Sequence, residues 1–259
     1  MKKIGIIGCG VIGSACAGFI QSQLRRTARV VALCDIDSKK AKILSKKIKP
    51  RPSIVDIDAL IKKCDLIIEA SHVNVSGNIA QKAVLNRKDV LIMSTGGLLK
   101  TPGILTKARQ RGCNIYIPSG AICGLDGLKA ASIGKIRKVT LTTRKPFRGL
   151  KGAPYLEKKK IDRIQRQTLI YSGNAQGAIG YFPKNVNVAA TLSLAGIGPV
   201  RTKVKIISSP KYKKNIHEIE IEGEFGKIFT KAENVPSREN PKTSQLAIFS
   251  ALAKLKEIV

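Results

Sequence analysis

Three glycines near the amino terminus carry the clearest chemical pattern in the sequence. Gly8, Gly10 and Gly13 form the motif Gly-x-Gly-x-x-Gly, with Val11 and Ile12 between the last two. The motif follows a short apolar run and opens a helical one, which is the context that gives it meaning. There, the first glycine allows a tight turn, the second lets a pyrophosphate approach, and the third allows close packing of helix on strand. We therefore predict a dinucleotide site at Gly8, Gly10, Val11, Ile12 and Gly13.

An acidic residue follows this turn at the distance that a dinucleotide site requires. Asp35 stands at the end of the second apolar run, and the usual spacing from the last glycine is about 20 residues. Its carboxylate can accept hydrogen bonds from both adenosine ribose hydroxyls and opposes a 2′-phosphate, which favours NAD over NADP. The nearby Ser38, Lys39 and Lys40 weaken that opposition. The sequence therefore predicts NAD or NADP as the cofactor.

Small residues at the ends of two further predicted strands point to the same site. Ala70 and Ser71 end one strand, and Thr95 and Gly96 follow another. Open parallel sheets bind ligands at the carboxyl ends of their strands, and small residues there leave space for the nicotinamide ribose. We predict cofactor contacts at these four residues. The alternative is ordinary turn chemistry, because Ser, Thr and Gly favour loops.

The sequence contains two histidines, His72 and His217, which can exchange a proton near neutral pH. His217 lies in an alternating segment and shares one strand face with Ile219 and Ile221, while the glutamates between them face away. Strand position alone favours a buried structural histidine over a catalytic acid or base. His72 follows a predicted strand, where we expect a loop or helix-start residue.

Alternating strands and helices in the first half must position the glycine turn. Segments of strand character lie at 3–7, 30–34, 65–70, 90–94 and 114–118, and helical segments lie at 13–24, 38–48, 57–63, 75–86 and 102–111. Nearly continuous apolar strands separated by helices are typical of a parallel sheet covered on both faces. We predict an α/β fold whose N-terminal domain, residues 1–118, is a Rossmann-type doubly wound parallel sheet.

The pattern changes after about residue 119. Segments 138–143, 203–207, 216–222 and 227–231 alternate polar and apolar residues, as strands with one covered face do. Helical segments at 175–182 and 186–194 can cover that face. We predict a C-terminal α+β domain over residues 119–239. A final helix within 240–259 is expected to pack back on the first domain.

The net charge is the most unusual feature of the composition. Lys and Arg number 47 against 17 Asp and Glu, for a formal net charge of +30 at pH 7. The basic residues are scattered in pairs without a basic tail, so we expect attraction of anionic substrates and no specific nucleic-acid site.

No apolar run approaches the roughly 20 residues of a bilayer span. Six scattered cysteines without a CxxC pair indicate a reducing compartment and no metal site, so we expect a cytoplasmic protein without a membrane partner.

Four longer segments resemble the L-aspartate dehydrogenase family. They are 119–126 (SGAICGLD), 182–191 (FPKNVNVAAT), 215–219 (NIHEI) and 239–244 (ENPKTS). In this order and spacing they are far more specific than the glycine motif, and the resemblance covers nearly the whole chain. It implies the NAD(P)-dependent oxidation of L-aspartate to iminoaspartate by a homodimer whose C-terminal domain carries catalysis and dimerisation. Iminoaspartate then feeds quinolinate and NAD biosynthesis, or hydrolyses to oxaloacetate and ammonia.

The resemblance also implies roles for single residues. It makes His217 the catalytic acid or base, which reverses the interpretation from strand position alone. It implies cofactor contacts by Ala121, through its backbone, and by Asn187. The substrate carboxylates need cations, and we select Arg144 and Lys184 for them. The alternative for both is a solvated surface charge.

The sequence leaves two other functions open. One is another two-domain NAD(P)-dependent amino-acid or imine reductase, such as a dihydrodipicolinate-reductase-like protein, although the paired-histidine and lysine signature of that family is missing. The other is a basic regulator that senses NAD and binds nucleic acid. It would need a basic recognition helix or tail, which the sequence does not contain.

Overall fold

The chain folds into two compact units. A computed structural model describes residues 1–183, 187–237, 239–240 and 243–259. The first unit consists of Met1–Pro118 with Ile248–Val259, and the second of Ser119–Ala247. Within the described residues, no helix is long and apolar enough to cross a membrane.

A six-stranded parallel sheet forms the centre of the first unit. Its strands are β1 (Lys2–Ile7), β2 (Ala28–Cys34), β3 (Ser53–Ile54), β4 (Leu66–Glu69), β5 (Asp89–Ile92) and β6 (Ile115–Tyr116). Their spatial order is β3-β2-β1-β4-β5-β6, and neighbouring strands are parallel. This is the order of a doubly wound dinucleotide-binding sheet, in which the strand order reverses between β1 and β4. The predicted Rossmann-type sheet is confirmed.

Helices connect these strands and cover the sheet. They are α1 (Val11–Gln23), α2 (Ser38–Lys47), α3 (Ile57–Lys63), α4 (Val73–Leu85) and α5 (Ile104–Gln110), with a 3₁₀ helix at Thr95–Lys100. On one face of β1, Ile4 packs in a core that includes Ala17 of α1. On the other face, a Cβ at Gly5 would overlap the Leu60 side chain of α3. Close approach of helices on both faces is what a nearly continuous apolar strand predicts.

A mixed five-stranded sheet forms the centre of the second unit. Its strands are β7 (Ile136–Lys145), β8 (Thr168–Asn174), β9 (Thr202–Ser208), β10 (Asn215–Gly223) and β11 (Gly226–Asn234), in the order β11-β10-β7-β9-β8. β7 and β9 are parallel, and the other neighbours are antiparallel. The helices of this unit are α6 (Leu125–Ala131), α7 (Pro154–Lys158), α8 (Ala175–Tyr181) and α9 (Asn187–Ala195). The core joins Leu141 and Ile219 of the sheet to Phe182 and Leu192, so the predicted α+β character is confirmed.

The differences from the predicted elements have local causes. The sequence does not predict β3, because a strand of two residues has no periodicity. It does not predict β8 either, since Thr168–Asn174 reads TLIYSGN and lacks regular alternation. The last helix, α10 (Gln245–Ile258), lies within the predicted range 240–259. Its residues Ala251 and Leu255 belong to the core of the first unit.

Candidate functional site

The glycine turn joins β1 to α1 at the carboxyl edge of the first sheet. Gly8 has a left-handed backbone with φ of 97°, and a Cβ there would overlap the backbone of Ala70. A Cβ at Gly13 would overlap the Gly8 carbonyl. A Cβ at Gly10 meets nothing within 4 Å. The packing of the protein itself therefore explains Gly8 and Gly13, whereas Gly10 lines open space at the amino end of a 13-residue helix, where a pyrophosphate would approach.

Asp35 follows β2 and is fixed beside the glycine turn. Its Oδ2 accepts a hydrogen bond from the Cys9 N–H at 2.6 Å, and its Oδ1 accepts one from the Asp37 N–H at 2.8 Å. The side chain is partly exposed. Each carboxylate oxygen has two lone pairs, so both oxygens can still accept from ribose hydroxyls. The turn and the candidate ribose acceptor are thus one hydrogen-bonded group.

A buried carboxylate outside the sequence motifs described above joins two other loops of this edge. Glu69 ends β4 and is 0% exposed. Its Oε1 accepts from the Ser71 N–H at 2.8 Å and from the Ser71 hydroxyl at 2.7 Å, and its Oε2 accepts from the Ser94 N–H at 2.9 Å. Burial raises the pKa of Glu69, and these hydrogen bonds oppose the rise. Glu69 therefore ties the loop after β4 to the loop after β5. The available sequence signal is an acidic residue at the end of an otherwise apolar strand.

We expect Glu69→Gln to weaken NAD binding by about tenfold, which corresponds to about 1.4 kcal/mol. The amide keeps the shape of the carboxylate, but its NH₂ group must face an N–H or O–H donor, so one loop loses its anchor. The measurement is calorimetric titration with NAD. Asp58→Asn is the matched control, because Asp58 is an exposed carboxylate whose partner is Lys82. A variant that loses thermal stability but keeps the wild-type Kd for NAD would show that Glu69 serves the fold alone.

The loop after β5 continues into the 3₁₀ helix and is held against α4. The Ser76 hydroxyl donates to the Ser94 carbonyl at 2.7 Å, and a Cβ at Gly97 would overlap that hydroxyl oxygen. Thr95 is 2% exposed, and Gly96 is buried as well. The exposed Ser71 lies on the neighbouring loop. The small residues of both loops lie at this edge of the sheet, and their contacts with the nicotinamide half of a cofactor stay predictions.

His72 is the amino-terminal cap of α4. Its Nδ1 accepts a hydrogen bond from the Asn74 N–H at 3.3 Å, and the residue is exposed. The expectation of a helix-start residue is confirmed. This local role accounts for the histidine without any catalytic function.

His217 lies on the covered face of the second sheet, as its alternation predicts. It is 7% exposed, and Ile219 and Ile221 on the same face of β10 are 1% and 0% exposed. Its Nδ1 lies 3.0 Å from Oγ1 of Thr143, the residue paired with it on β7. Burial, and less strongly the positive charge of Lys145, lower the pKa of His217 to about 3. The imidazole is therefore neutral near pH 7, which is the form that accepts a proton.

Arg144 lies on the opposite face of the same sheet. Its Nε donates to the two carboxylate oxygens of Glu218 at 3.0 and 3.1 Å, and its Nη1 donates to the Tyr212 hydroxyl at 3.4 Å. Side chains alternate along a strand, so Arg144 does not share a face with Thr143, the partner of His217. This arrangement does not support the predicted substrate role, because Glu218 already matches the Arg144 charge. The other predicted cation, Lys184, lies outside the described residues.

Two residues that the family resemblance assigns to the cofactor also lie in the second unit. Ala121 is 8% exposed, and its carbonyl accepts a hydrogen bond from Nδ2 of Asn234 at 3.0 Å. This bond fixes the backbone through which the contact is predicted. Asn187 is the first residue of α9 and is exposed. Both are accessible to a ligand in part, and their cofactor contacts stay predictions.

The cysteines of the first unit serve packing. Burial raises the pKa of Cys9, Cys16 and Cys64 to about 12, so these thiols are protonated at neutral pH. A protonated thiol is a poor nucleophile and a poor metal ligand. In the part of the chain that the structure describes, no group of His, Cys, Asp and Glu residues is placed to hold a metal ion.

Two family models match the two halves of the chain. The model described as aspartate dehydrogenase, C-terminal, matches residues 126–258. The model described as homoserine dehydrogenase, NAD binding domain, matches residues 8–118. The second match covers the glycine turn and both loops tied by Glu69.

Curated relatives match over the full length. The L-aspartate dehydrogenase of Methanosarcina acetivorans is 45% identical over 265 residues, which cover 100% of this chain and 97% of the relative. The L-aspartate dehydrogenase of Nitrosopumilus maritimus is 41% identical over 268 residues, which cover 99% of this chain and 96% of the relative.

Solved structures share the fold. The crystal structure of aspartate dehydrogenase from Thermotoga maritima has a TM-score of 0.75 at 22% identity, covering 100% of this chain and 97% of that one. Scyllo-inositol dehydrogenase from Lactobacillus casei with bound NAD(H) and scyllo-inositol has a TM-score of 0.57 at 15% identity, covering 100% of this chain and 89% of that one. At identities of 22% and 15%, these matches show that the fold is shared.

Proposed function

Because the chain belongs to the L-aspartate dehydrogenase family, it is an oxidoreductase that oxidises L-aspartate with NAD, and we propose that His217 exchanges protons with the substrate. The observation that carries this proposal is the placement of the imidazole. His217 is 7% exposed, and the Thr143 hydroxyl lies 3.0 Å from its Nδ1. Thr143 orients the ring, and because burial holds its pKa at about 3 in the free protein, the proposed role requires bound substrate to raise that pKa toward the operating pH.

The first unit offers the features that a nicotinamide dinucleotide needs. Open space above Gly10 at the start of α1 accommodates the pyrophosphate, where the backbone of Val11 and Ile12 can hold it. The Asp35 carboxylate accepts from the adenosine ribose. A nicotinamide dinucleotide held by these residues would supply the hydride acceptor for oxidation of the substrate α-carbon. We assign the remaining contacts to the small residues of the other loops: Ala70, Ser71, Thr95, Gly96, Ala121 and Asn187.

The substrate ammonium must lose a proton before the α-carbon can lose a hydride, because the nitrogen lone pair forms the new C=N bond. A neutral imidazole at position 217 accepts that proton. If its Nδ1–H donates to Oγ1 of Thr143, its Nε2 carries the lone pair that can accept this proton. The same nitrogen can later activate water for hydrolysis of the imine to oxaloacetate and ammonia.

Product analysis tests the reaction as a whole. With L-aspartate and NAD, we expect NADH and ammonia in equal amounts, with oxaloacetate as the carbon product. Formation of NADH without ammonia would show that the enzyme does not oxidise the carbon–nitrogen bond of the substrate. We propose that iminoaspartate which escapes hydrolysis feeds quinolinate formation and NAD biosynthesis.

We expect Asp35→Ala to weaken NAD binding by about tenfold or more and NADP binding by much less. The variant loses the acceptor for the ribose hydroxyls, but it also loses a negative charge that opposes a 2′-phosphate. The measurement is the ratio of kcat/KM for NAD to kcat/KM for NADP in the wild type and the variant. Asp56→Ala is a control, since Asp56 caps α3 through the Ala59 N–H. Equal losses for both cofactors would contradict the ribose assignment.

The assembly and setting are proposed on the family resemblance and the composition. We propose a homodimer in the cytoplasm that has no specific nucleic-acid partner. Light scattering should give twice the 28.0 kDa chain mass. The net charge of +30 predicts weak binding to DNA at low salt, lost as salt rises. A monomer, or DNA binding that resists salt, would contradict these proposals.

A further inference from the structure

A cavity of about 190 Å³ lies at the amino edge of the first sheet, where β1 and β2 begin. Its walls come from the carboxyl end of α1, the start of β2 and the loop that follows α2. An apolar cavity of about 150 Å³ is large enough to bind benzene, so this cavity has room for a ligand with one ring. The residues that line this amino-edge cavity include Ile20, Gln21, Arg25, Ala28, Arg29 and Lys49.

Hydrogen bonds to the backbone fix the walls of the amino-edge cavity. The Lys49 N–H donates to Oε1 of Gln21 at 2.7 Å, which joins the loop after α2 to the last turns of α1. The N–H groups of Thr27 and Ala28 donate to the Leu24 carbonyl at 3.0 and 2.8 Å, and these bonds close the turn between α1 and β2. Backbone geometry therefore sets the shape of the cavity, and a ligand finds it already formed.

The base of the amino-edge cavity is apolar. Ile20, Ala28, Val30 and Ile48 line it, and all four are buried residues of the hydrophobic core of the first unit. Moving apolar surface of a ligand out of water and onto such a base is favourable. Ligand sites in proteins commonly combine an apolar lining with a few polar groups that fix orientation. The base therefore suits the apolar body of a ligand.

The rim of the amino-edge cavity is positively charged. Arg25, Arg29 and Lys49 line it and are exposed, and the described lining residues include no Asp or Glu. None of the ion pairs among the described residues involves these three cations. The carboxyl ends of α1 and α2 each bring a partial negative charge of about half a unit, which three full positive charges outweigh. The rim therefore attracts an anion, and the guanidinium groups can bind it through paired hydrogen bonds.

We propose that the amino-edge cavity binds a small aromatic carboxylate of about the size of benzoate. The ring fills the apolar base, and the carboxylate meets the cations of the rim. The strands of the first sheet are parallel, so this cavity and the glycine turn lie at opposite ends of β1 and β2. The carboxylate and NAD can therefore bind at the same time, and the ligand of this cavity takes no part in the proposed reaction.

Calorimetric titration with benzoate, at physiological salt and with saturating NAD, tests the proposal. We expect a Kd of about 1 mM or lower, which is reachable for a ligand of this size. Benzamide keeps the ring and removes the charge, whereas acetate keeps the charge and removes the ring. Each should bind at least about tenfold more weakly than benzoate, because each loses one of the two contacts. Benzoate should also raise the Tm, since a ligand that binds only the folded state stabilises it.

A double variant, Arg25→Gln with Arg29→Gln, locates the site. It removes two charges of the rim at exposed positions, so the fold should be kept and the Kd for benzoate should rise by about tenfold or more. Arg26→Gln with Lys47→Gln is the matched control, because it removes the same charge at exposed positions that do not line the cavity. In the control the Kd for benzoate should stay within about twofold of wild type. The Kd for NAD and the kcat for L-aspartate should be unchanged in both double variants.

Four results would overturn the proposal. Absence of both binding heat and a Tm shift, at benzoate concentrations tenfold above the expected Kd, would show that the cavity takes no such ligand. Equal losses in the two double variants would assign the attraction to the basic surface as a whole. Equal binding of benzamide would remove the rim charges from the site. Binding of benzoate only in the absence of NAD would place it in the cofactor site instead.

Discussion

His217→Ala should lower kcat for L-aspartate oxidation by a factor of about 10²–10⁴, the usual contribution of a general acid or base. The variant removes the proton acceptor, so the ammonium form of the substrate persists and its α-carbon cannot release a hydride. NAD binding should be unchanged, because the glycine turn and Asp35 belong to the first unit. Initial rates of NADH formation and calorimetric titration with NAD measure the two effects separately.

Two further variants locate the effect of His217 more closely. Thr143→Val removes the hydroxyl 3.0 Å from Nδ1 while keeping the β-branched shape, and it should cost less than loss of the imidazole itself. His72→Asn replaces the other histidine with a residue that also caps helices, and its turnover should match the wild type. Near-normal turnover of His217→Ala would remove this residue from the mechanism.

Gly10→Glu should raise the Kd for NAD by a factor of about 100 or more and leave the fold intact. The backbone at Gly10 has φ of −76°, which any residue adopts, and a Cβ there meets nothing within 4 Å. The new side chain would occupy the space proposed for the pyrophosphate, and its carboxylate would repel the phosphate charges. The measurements are the Kd for NAD and the Tm without cofactor.

Gly18→Glu is the matched control for this change. Gly18 lies on the same helix, is exposed, and also has nothing within 4 Å of a Cβ. The same substitution there should leave the Kd for NAD unchanged. Equal affinities in Gly10→Glu and the wild type would show that the glycine turn serves packing alone.

Local spacing predicts the glycine turn and the position of Asp35 beside it, because short-range geometry creates both. Gly8, Gly10 and Gly13 lie within six positions, and Asp35 ends the adjacent strand, so one strand–turn–helix unit fixes their arrangement. The face of His217 also follows from alternation within one strand. These features depend on residues that are close in sequence or on the alternation of side chains within one strand.

The sequence does not reveal features that depend on contacts between segments far apart along the chain. Glu69 acts through Ser94, and the sequence does not show that these two loops meet. The face on which Arg144 lies depends on a single step of strand register, because a shift of one residue exchanges the two faces. The alternation of β7 contains that information only once its partner strand is known.

The most direct test of the assigned reaction is the rate of NADH formation by the wild-type protein at alkaline pH, with L-aspartate, L-glutamate, L-alanine and D-aspartate compared at equal concentration. The L-aspartate dehydrogenase assignment predicts activity with L-aspartate and little with the other three. Absence of activity with L-aspartate in a protein that still binds NAD, or equal activity with L-alanine, would contradict the assignment.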